Sequence, residues 1–432
     1  MQTHFPPERL TDSDMAVSEA IIRKCVHCGF CASTCPTFDL LGDELDSPRG
    51  RIYLMKAMLE GGDVPTPDVV RHIDRCLSCL SCATTCPSGV DYGHLVDHAR
   101  AYIEARYRRP LGQRLLRGVL AWTLPHPRRF RLALRLAALG RPFARLFERI
   151  APLRPLAAML ALAPRHVPAD SPIRPAAGPT RAGRVALLQG CAEPVLRPEI
   201  RAATIRLLER CGHDVVLARG EGCCGSLVHH MGREAQALDA ARRNVDAWIA
   251  EMDGAGLDAI LVTVSGCGST LKDYGHMLRE DPAYAEKAAR VSAIALDVSE
   301  YLARIALPPA GSAPALTVAW HPPCSLQHGQ KVIDTPVRLL RAAGFVVRTP
   351  ANAHLCCGSA GTYNMLQPEI ARQLGQRKAA TIALLAPDVI ATGNIGCMTQ
   401  IALYGGAPTV HLVELLDWAT GGPRPPALSA DR

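Results

Sequence analysis

Cysteine spacing constrains this chain more than any other feature. Cys25, Cys28, Cys31 and Cys35 are followed by Pro36, and Cys76, Cys79, Cys82 and Cys86 by Pro87. The pattern C-x2-C-x2-C-x3-C-P therefore occurs twice, 51 residues apart at every position. Three closely spaced thiolates cap three corners of an iron–sulfur cube, and the fourth, held off before proline, ligates the other cluster. The spacing predicts two [4Fe–4S] clusters, one on Cys25, Cys28, Cys31 and Cys86, the other on Cys76, Cys79, Cys82 and Cys35. Zinc sites use C-x2-C pairs but need no reciprocal fourth cysteine. Disulfide frameworks belong to small secreted domains.

With 432 residues, 48% apolar and 20% charged, the chain is long enough for two to four packed domains. The polar start MQTHFPPERLTDSDM has no apolar export region. Together with 17 cysteines, it predicts a reducing, cytoplasmic setting. No run of about 18 uncharged apolar residues predicts a membrane span. The net charge of +8 is local: residues 106–154 hold 13 Arg, no Lys and one acid, Glu148, leaving the rest near −4. Leu132, Leu136 and Leu139 share a helical face, with Arg131, Arg135 and Arg145 mostly off it. Such a helix can lie on the anionic cytoplasmic face of the inner membrane, or pack on an acidic partner subunit or on the chain's own domains. No motif accompanies the charge that would make it a nucleic-acid site.

The sequence divides into a cluster domain (1–105), a basic helical connector and linker (106–183), and two copies of one unit (184–305 and 306–432). Helices are expected over SPRGRIYLMKAMLEGG and DYGHLVDHARAYIEARY. Prolines at 110, 125, 127, 142, 152 and 155 break the connector, and 163–183 is rich in Pro, Ala and Gly. In the duplicated part, Cys191, Cys223-Cys224-Gly225 and Cys267 recur as Cys324, Cys356-Cys357-Gly358 and Cys397. Each set ends β-rich runs that lead into helices, which implies parallel sheets with the cysteines at their carboxyl ends. Helix N-termini there would favour thiolate. Four thiolates per copy can hold a further iron–sulfur cluster or a tetrahedral zinc, or remain reduced core residues. Cys211, His27, His229, His230, His321, His328 and His354 read as structural or exposed. The fold class is thus multidomain, α+β and α/β: a helical two-cluster ferredoxin-type domain followed by two repeated α/β Cys-Cys-Gly domains.

The stretches CVHCGFCASTCPTFDLLGDELDSPRGRIYLMK, DRCLSCLSCATTCPSGVDY, GCCG, SGCGSTLKDYGHML, HLCCGSAGTYN and TGNIGCMTQ resemble the heterodisulfide-reductase-type redox subunits. Within them the chain is most similar to the iron–sulfur subunits of bacterial glycolate oxidase (glycolate dehydrogenase). That resemblance implies flavoprotein partner subunits carrying FAD, which oxidise glycolate to glyoxylate. It implies electron passage through the clusters to a quinone or another acceptor. Lactate and anaerobic glycerol-3-phosphate dehydrogenases use similarly built subunits. Disulfide reduction is disfavoured, because the final C-x2-C of the wider group is broken at Thr270 and Gln400. No flavin or nicotinamide fingerprint is present, so no residue of this chain is expected to act on the organic substrate.

Overall fold

The computed structural model describes residues 1–164, 166–169, 182–311 and 315–429. In the N-terminal part, the helices Ser13–Lys24, Pro48–Gly61, Pro67–Asp74 and Tyr92–Arg106 enclose a core that includes Ile22, Met55, Leu59, Ile73, Leu95 and Ile103. The helix Pro48–Gly61 starts where Ser47 Oγ accepts from Gly50 N, with proline in the first turn, and stops at Gly62 in the left-handed region. Gly50 is required: a Cβ there would lie 2.1 Å from the Glu44 carbonyl oxygen. This close approach seats the helix against the segment that follows the first cysteine run.

The two cysteine loops share one backbone shape. His27 and Gly29 in the first, and Ser78 and Leu80 in the second, all have positive φ. Three of these four are not glycine, and such strain persists only where the surroundings over-determine it.

Each duplicated unit is a four-stranded parallel sheet flanked by helices. In the first, β1 (Gly183–Leu187), β2 (His213–Val216), β3 (Ala259–Val262) and β4 (Ala295–Asp297) run in the order β2-β1-β3-β4. In the second, β5 (Thr317–Trp320), β6 (Val346–Arg348), β7 (Val389–Thr392) and β8 (Thr409–His411) run β6-β5-β7-β8. The order reverses between β1 and β3, and between β5 and β7, so a crevice opens there beyond the carboxyl ends. The two units share one apolar core, from Val185 and Leu261 to Val318 and Leu416. Asp417 binds Arg206 and Arg210 across their boundary, at 2.5 Å each.

The basic connector forms helices Leu111–Thr123, Pro127–Gly140, Ala144–Arg149 and Arg154–Leu162, interrupted near the prolines. Its inner face, including Leu120, Leu134 and Leu160, is buried. The face expected to be apolar points outward: Leu132, Leu136 and Leu139 are 57%, 59% and 75% exposed. Most of the Pro-rich linker over 163–183 lies outside the described residues.

Candidate metal centres

Four groups of cysteines lie along the molecule. The first comprises Cys25, Cys28 and Cys31, and Cys86 from the second run lines the same pocket. The second comprises Cys76, Cys79 and Cys82, joined by Cys35 from the first run. Cys82 lines both pockets, so the two groups adjoin. The first lies at the surface, where Cys28 is exposed and Val26, Phe30 and Tyr53 present apolar area beside it. The second is enclosed: Cys76, Cys79 and Cys82 are all buried.

The surroundings of the second group favour negative charge. Arg51 is 1% exposed and donates to His72 O at 2.7 Å, Thr37 Oγ1 at 3.1 Å and Asp46 Oδ1 at 3.1 Å. Its guanidinium also reaches Cys35 Sγ at 3.9 Å. Arg100 donates to the Cys76 carbonyl at 2.6 Å and to Ser78 Oγ at 2.5 Å. The Tyr92 hydroxyl lies 3.6 Å from Cys76 Sγ. Asp46 and His72 group with Asp43 as a conceivable cation site. Asp46, however, is engaged by Arg51, His72 at 3.0 Å and Arg75 at 2.8 Å, which is an ion-pair network rather than an open ligand set. The R-G-R of the sequence thus supplies both a close-packing glycine and a buried cation, a role that cysteine spacing does not reveal.

The third and fourth groups belong to the duplicated units. Cys191 follows β1, Cys223 and Cys224 follow β2, and Cys267 lies in the first turn of the helix Ser265–Lys272. In the second copy Cys324 follows β5, Cys356 and Cys357 follow β6, and Cys397 lies in the first turn of Ile395–Ala402. Cys324 and Cys356 are 3.9 Å apart. Gly225 and Gly358 adopt φ of +88° and +86°, and a Cβ on Gly358 would meet the Ala371 carbonyl oxygen at 2.7 Å. Seven of these eight cysteines, all but Cys223, open onto one cavity of about 350 Å³ between the copies. The connector roofs it with Leu120, Phe130, Leu134 and Met159.

The thiols do not behave as helix N-termini alone would dictate. Bonding between neighbouring thiols, then burial, pushes Cys191, Cys224 and Cys324 well above the ordinary thiol range. Cys223 is lowered instead, chiefly because Cys191 and Cys224 donate to it. Burial raises Cys31 to about 11 and carries Cys79 and Cys82 well above their usual value. Crowded, buried thiols become anions together only when a metal takes the place of their protons. Converging sulfur donors of this kind fit iron–sulfur clusters, and each of the first two pockets is lined by at least four cysteines.

The groups are linked in space. Cys79 packs in one apolar cluster with Cys356 and Tyr363, against which Cys324 also lies. Tyr363 Oη donates to Arg75 O at 2.9 Å, and Thr84 Oγ1 meets His328 Nδ1 at 2.8 Å. The second ferredoxin-type group is therefore held against the second repeat. The first repeat is reached by other contacts: His94 to Asp273 at 2.8 Å, and Asp97 to His230 at 3.2 Å. His229, His230 and His328 thus have structural partners, and Cys211 packs at the end of Pro198–Arg210. His27 is exposed in the first cysteine loop. His354, partly buried, offers its carbonyl oxygen to His328 Nε2. His321 differs: it is 1% exposed, and neither ring nitrogen has a hydrogen-bond partner.

A two-loop cysteine domain joined to two parallel-sheet domains with cysteines at their crevices defines a class, the iron–sulfur proteins with duplicated cysteine-rich domains. The family model described as a 4Fe-4S dicluster domain matches residues 21–90, and the one described as a cysteine-rich domain matches 185–272 and 318–402. The glycolate oxidase iron-sulfur subunit of Escherichia coli (strain K12) is 42% identical over 97% of this chain and 99% of that protein. The probable glycolate oxidase iron-sulfur subunit of Bacillus subtilis (strain 168) is 31% identical over 94% and 95%. The chain belongs to the family of glycolate oxidase iron–sulfur subunits. Lactate utilization protein A of Bacillus licheniformis is 27% identical over 54% of the chain. A crystal structure of a hypothetical protein from Helicobacter pylori shares the fold, with a TM-score of 0.53 at 10% identity over 88% of this chain and 69% of that one.

Proposed function

We propose that this chain is the electron-relay subunit of a glycolate dehydrogenase complex. A flavoprotein subunit carrying FAD would take two electrons and two protons from glycolate, leaving glyoxylate. The clusters supply one-electron steps when bound. The reading assigns one [4Fe–4S] cluster to Cys25, Cys28, Cys31 and Cys86, and one to Cys76, Cys79, Cys82 and Cys35.

The observation that carries the relay is the unbroken order of the cysteine groups. It begins at the exposed Cys28 edge, passes through the group shared at Cys82, and reaches Cys79 beside Cys356 and the cavity between the repeats. The far end supports a quinone as final acceptor, which would take two electrons and two protons to become the quinol. The cavity there is mostly apolar, and its roof carries exposed Leu132, Leu136 and Leu139 on the outside, among Arg135, Arg141 and Arg145. Among the described residues these three arginines make no ion pair, and apolar residues set among cations suit an anionic lipid surface. No helix of the described residues is long and apolar enough to cross a membrane.

The deciding experiment is anaerobic reduction of the purified complex by glycolate, D-lactate and glycerol 3-phosphate, followed by cluster spectroscopy. Glycolate should reduce the clusters fastest. Preference for glycerol 3-phosphate would sink the assignment, and preference for D-lactate would favour the second reading, a lactate relay, to which the similarity with lactate utilization protein A points. The surface reading predicts that the complex sediments with vesicles containing anionic lipid, less so at high salt. Equal recovery on neutral vesicles would refute it.

A further inference from the structure

His321 follows β5 directly, and its backbone N–H bonds to the Ala391 carbonyl at 2.9 Å, which continues the parallel ladder by one residue. The ladder fixes where the side chain goes, into the crevice between β5 and β7. There one ring nitrogen, Cys357 Sγ and Cys397 Sγ all lie within 4.8 Å of one another. Burying an imidazole with both nitrogens unsatisfied is costly, and the described residues give it no alternative partner. Cys324 and Cys356 complete the surroundings of this group, 3.9 Å apart. The buried Lys378 Nζ is held nearby by the Asn352 carbonyl, to which it donates at 2.7 Å.

The first repeat lacks this feature. Cys324 corresponds to Cys191, so the position three residues earlier is Leu188, a buried core residue in the sheet's apolar cluster. The two copies share four sulfurs each, and the second adds one nitrogen.

We propose that His321 is a nitrogen ligand of a thiophilic metal centre in the second repeat, bound together with Cys357, Cys397 and a thiolate from the Cys324–Cys356 pair. The donor set is one imidazole and three or more sulfurs. That chemistry suits iron in a histidine-bearing iron–sulfur cluster or a tetrahedral zinc. Ligands of a single such metal lie about 3.5 Å apart, given bonds of roughly 2.0–2.3 Å, so the group closes with small side-chain rotations. Binding releases the thiol protons and leaves the ring neutral. The first repeat would be bound by sulfur alone. With iron, replacing a thiolate by imidazole raises the potential of the centre. The repeat beside Cys79 would then draw electrons from the ferredoxin-type domain.

The test uses the full chain, purified anaerobically, with iron, zinc and sulfide counted per chain. Pulsed EPR of the reduced protein reads nitrogen coupling if the metal is iron. X-ray absorption at the zinc edge reads the nitrogen-to-sulfur ratio if it is zinc. Wild type should show one nitrogen-ligated centre. His321→Leu places in the second copy the residue that the first already accommodates. It should either lose the metal of one centre or keep it without nitrogen. His321→Cys should retain metal and lose the nitrogen signature. Wild type with no metal beyond the N-terminal clusters, or a nitrogen signature that survives His321→Leu, would overturn the proposal. These readouts are independent of which hydroxy acid the complex oxidises.

Discussion

At the scale of single residues, the exchange of Cys35 and Cys86 between the two runs is the most testable arrangement. Each joins the pocket of the other motif. Cys86→Ser should reduce iron by about four atoms per chain and free Cys25, Cys28 and Cys31 for alkylation. Cys35→Ser should free Cys76, Cys79 and Cys82 instead. Mass-spectrometric mapping of the alkylated thiols distinguishes the two, and the reverse footprint would refute the crossed assignment. Other residues of these sites escape a sequence reading because their role depends on burial. Arg51 is one arginine among many until the fold places it against Cys35 and Asp46. His321 occurs in only one of the two copies, so internal repetition, the signal that exposes the cysteines, passes over it.

At the scale of elements, the strand–cysteine–helix unit depends on glycine where the backbone turns left-handed beside paired cysteines. Gly358→Ala would force φ of +86° on a residue with a Cβ and bring that atom 2.7 Å from the Ala371 carbonyl oxygen. The strain alone costs about 1–2 kcal/mol, and the close contact adds to it. Denaturant unfolding should register that loss as a lower midpoint. An unchanged midpoint would mean that the loop has another conformation. The helices of the cluster domain were legible from pattern: Pro48–Gly61 and Tyr92–Arg106 carry their caps in the sequence. The orientation of the connector was not. Its helix Pro127–Gly140 bears apolar residues on opposite sides, so Leu134 and Phe130 can line the cavity while Leu132, Leu136 and Leu139 face outward. Periodicity finds an apolar face but does not choose between two.

For the whole molecule, the contacts between the N-terminal part and the first repeat carry titratable groups. His94 lies between Asp91 and Asp273, each at 2.8 Å, and stacks on His276 at 3.7 Å between ring centroids. Burial opposes its charge, but the hydrogen bonds its ring donates to Asp273 and Asp91 outweigh that and raise its pKa to about 10. In the unfolded chain it would titrate near 6.5. The proton held in the folded state therefore contributes stability that is complete below about pH 6.5 and is lost as pH rises toward 10. Wild type should lose more thermal stability between pH 7 and 10 than His94→Gln. Equal slopes would show that this junction does not depend on the imidazolium.

The uneven burial of the cysteine groups also bears on how the protein ages in air. Cys28 is exposed in its loop, whereas Cys82 is buried in the N-terminal core and Cys79 is buried against the second repeat. Dioxygen and peroxide attack accessible thiolate sites first. Oxidative damage should proceed from the outer group inward, sparing the inner one until late. Brief aeration, followed by mapping of sulfinic and sulfonic acids, should find them first at Cys28 and Cys31 and last at Cys79. On the relay proposed above, a stored preparation would lose the outer group while the inner one still answers to an iron assay, so iron content would overstate working protein.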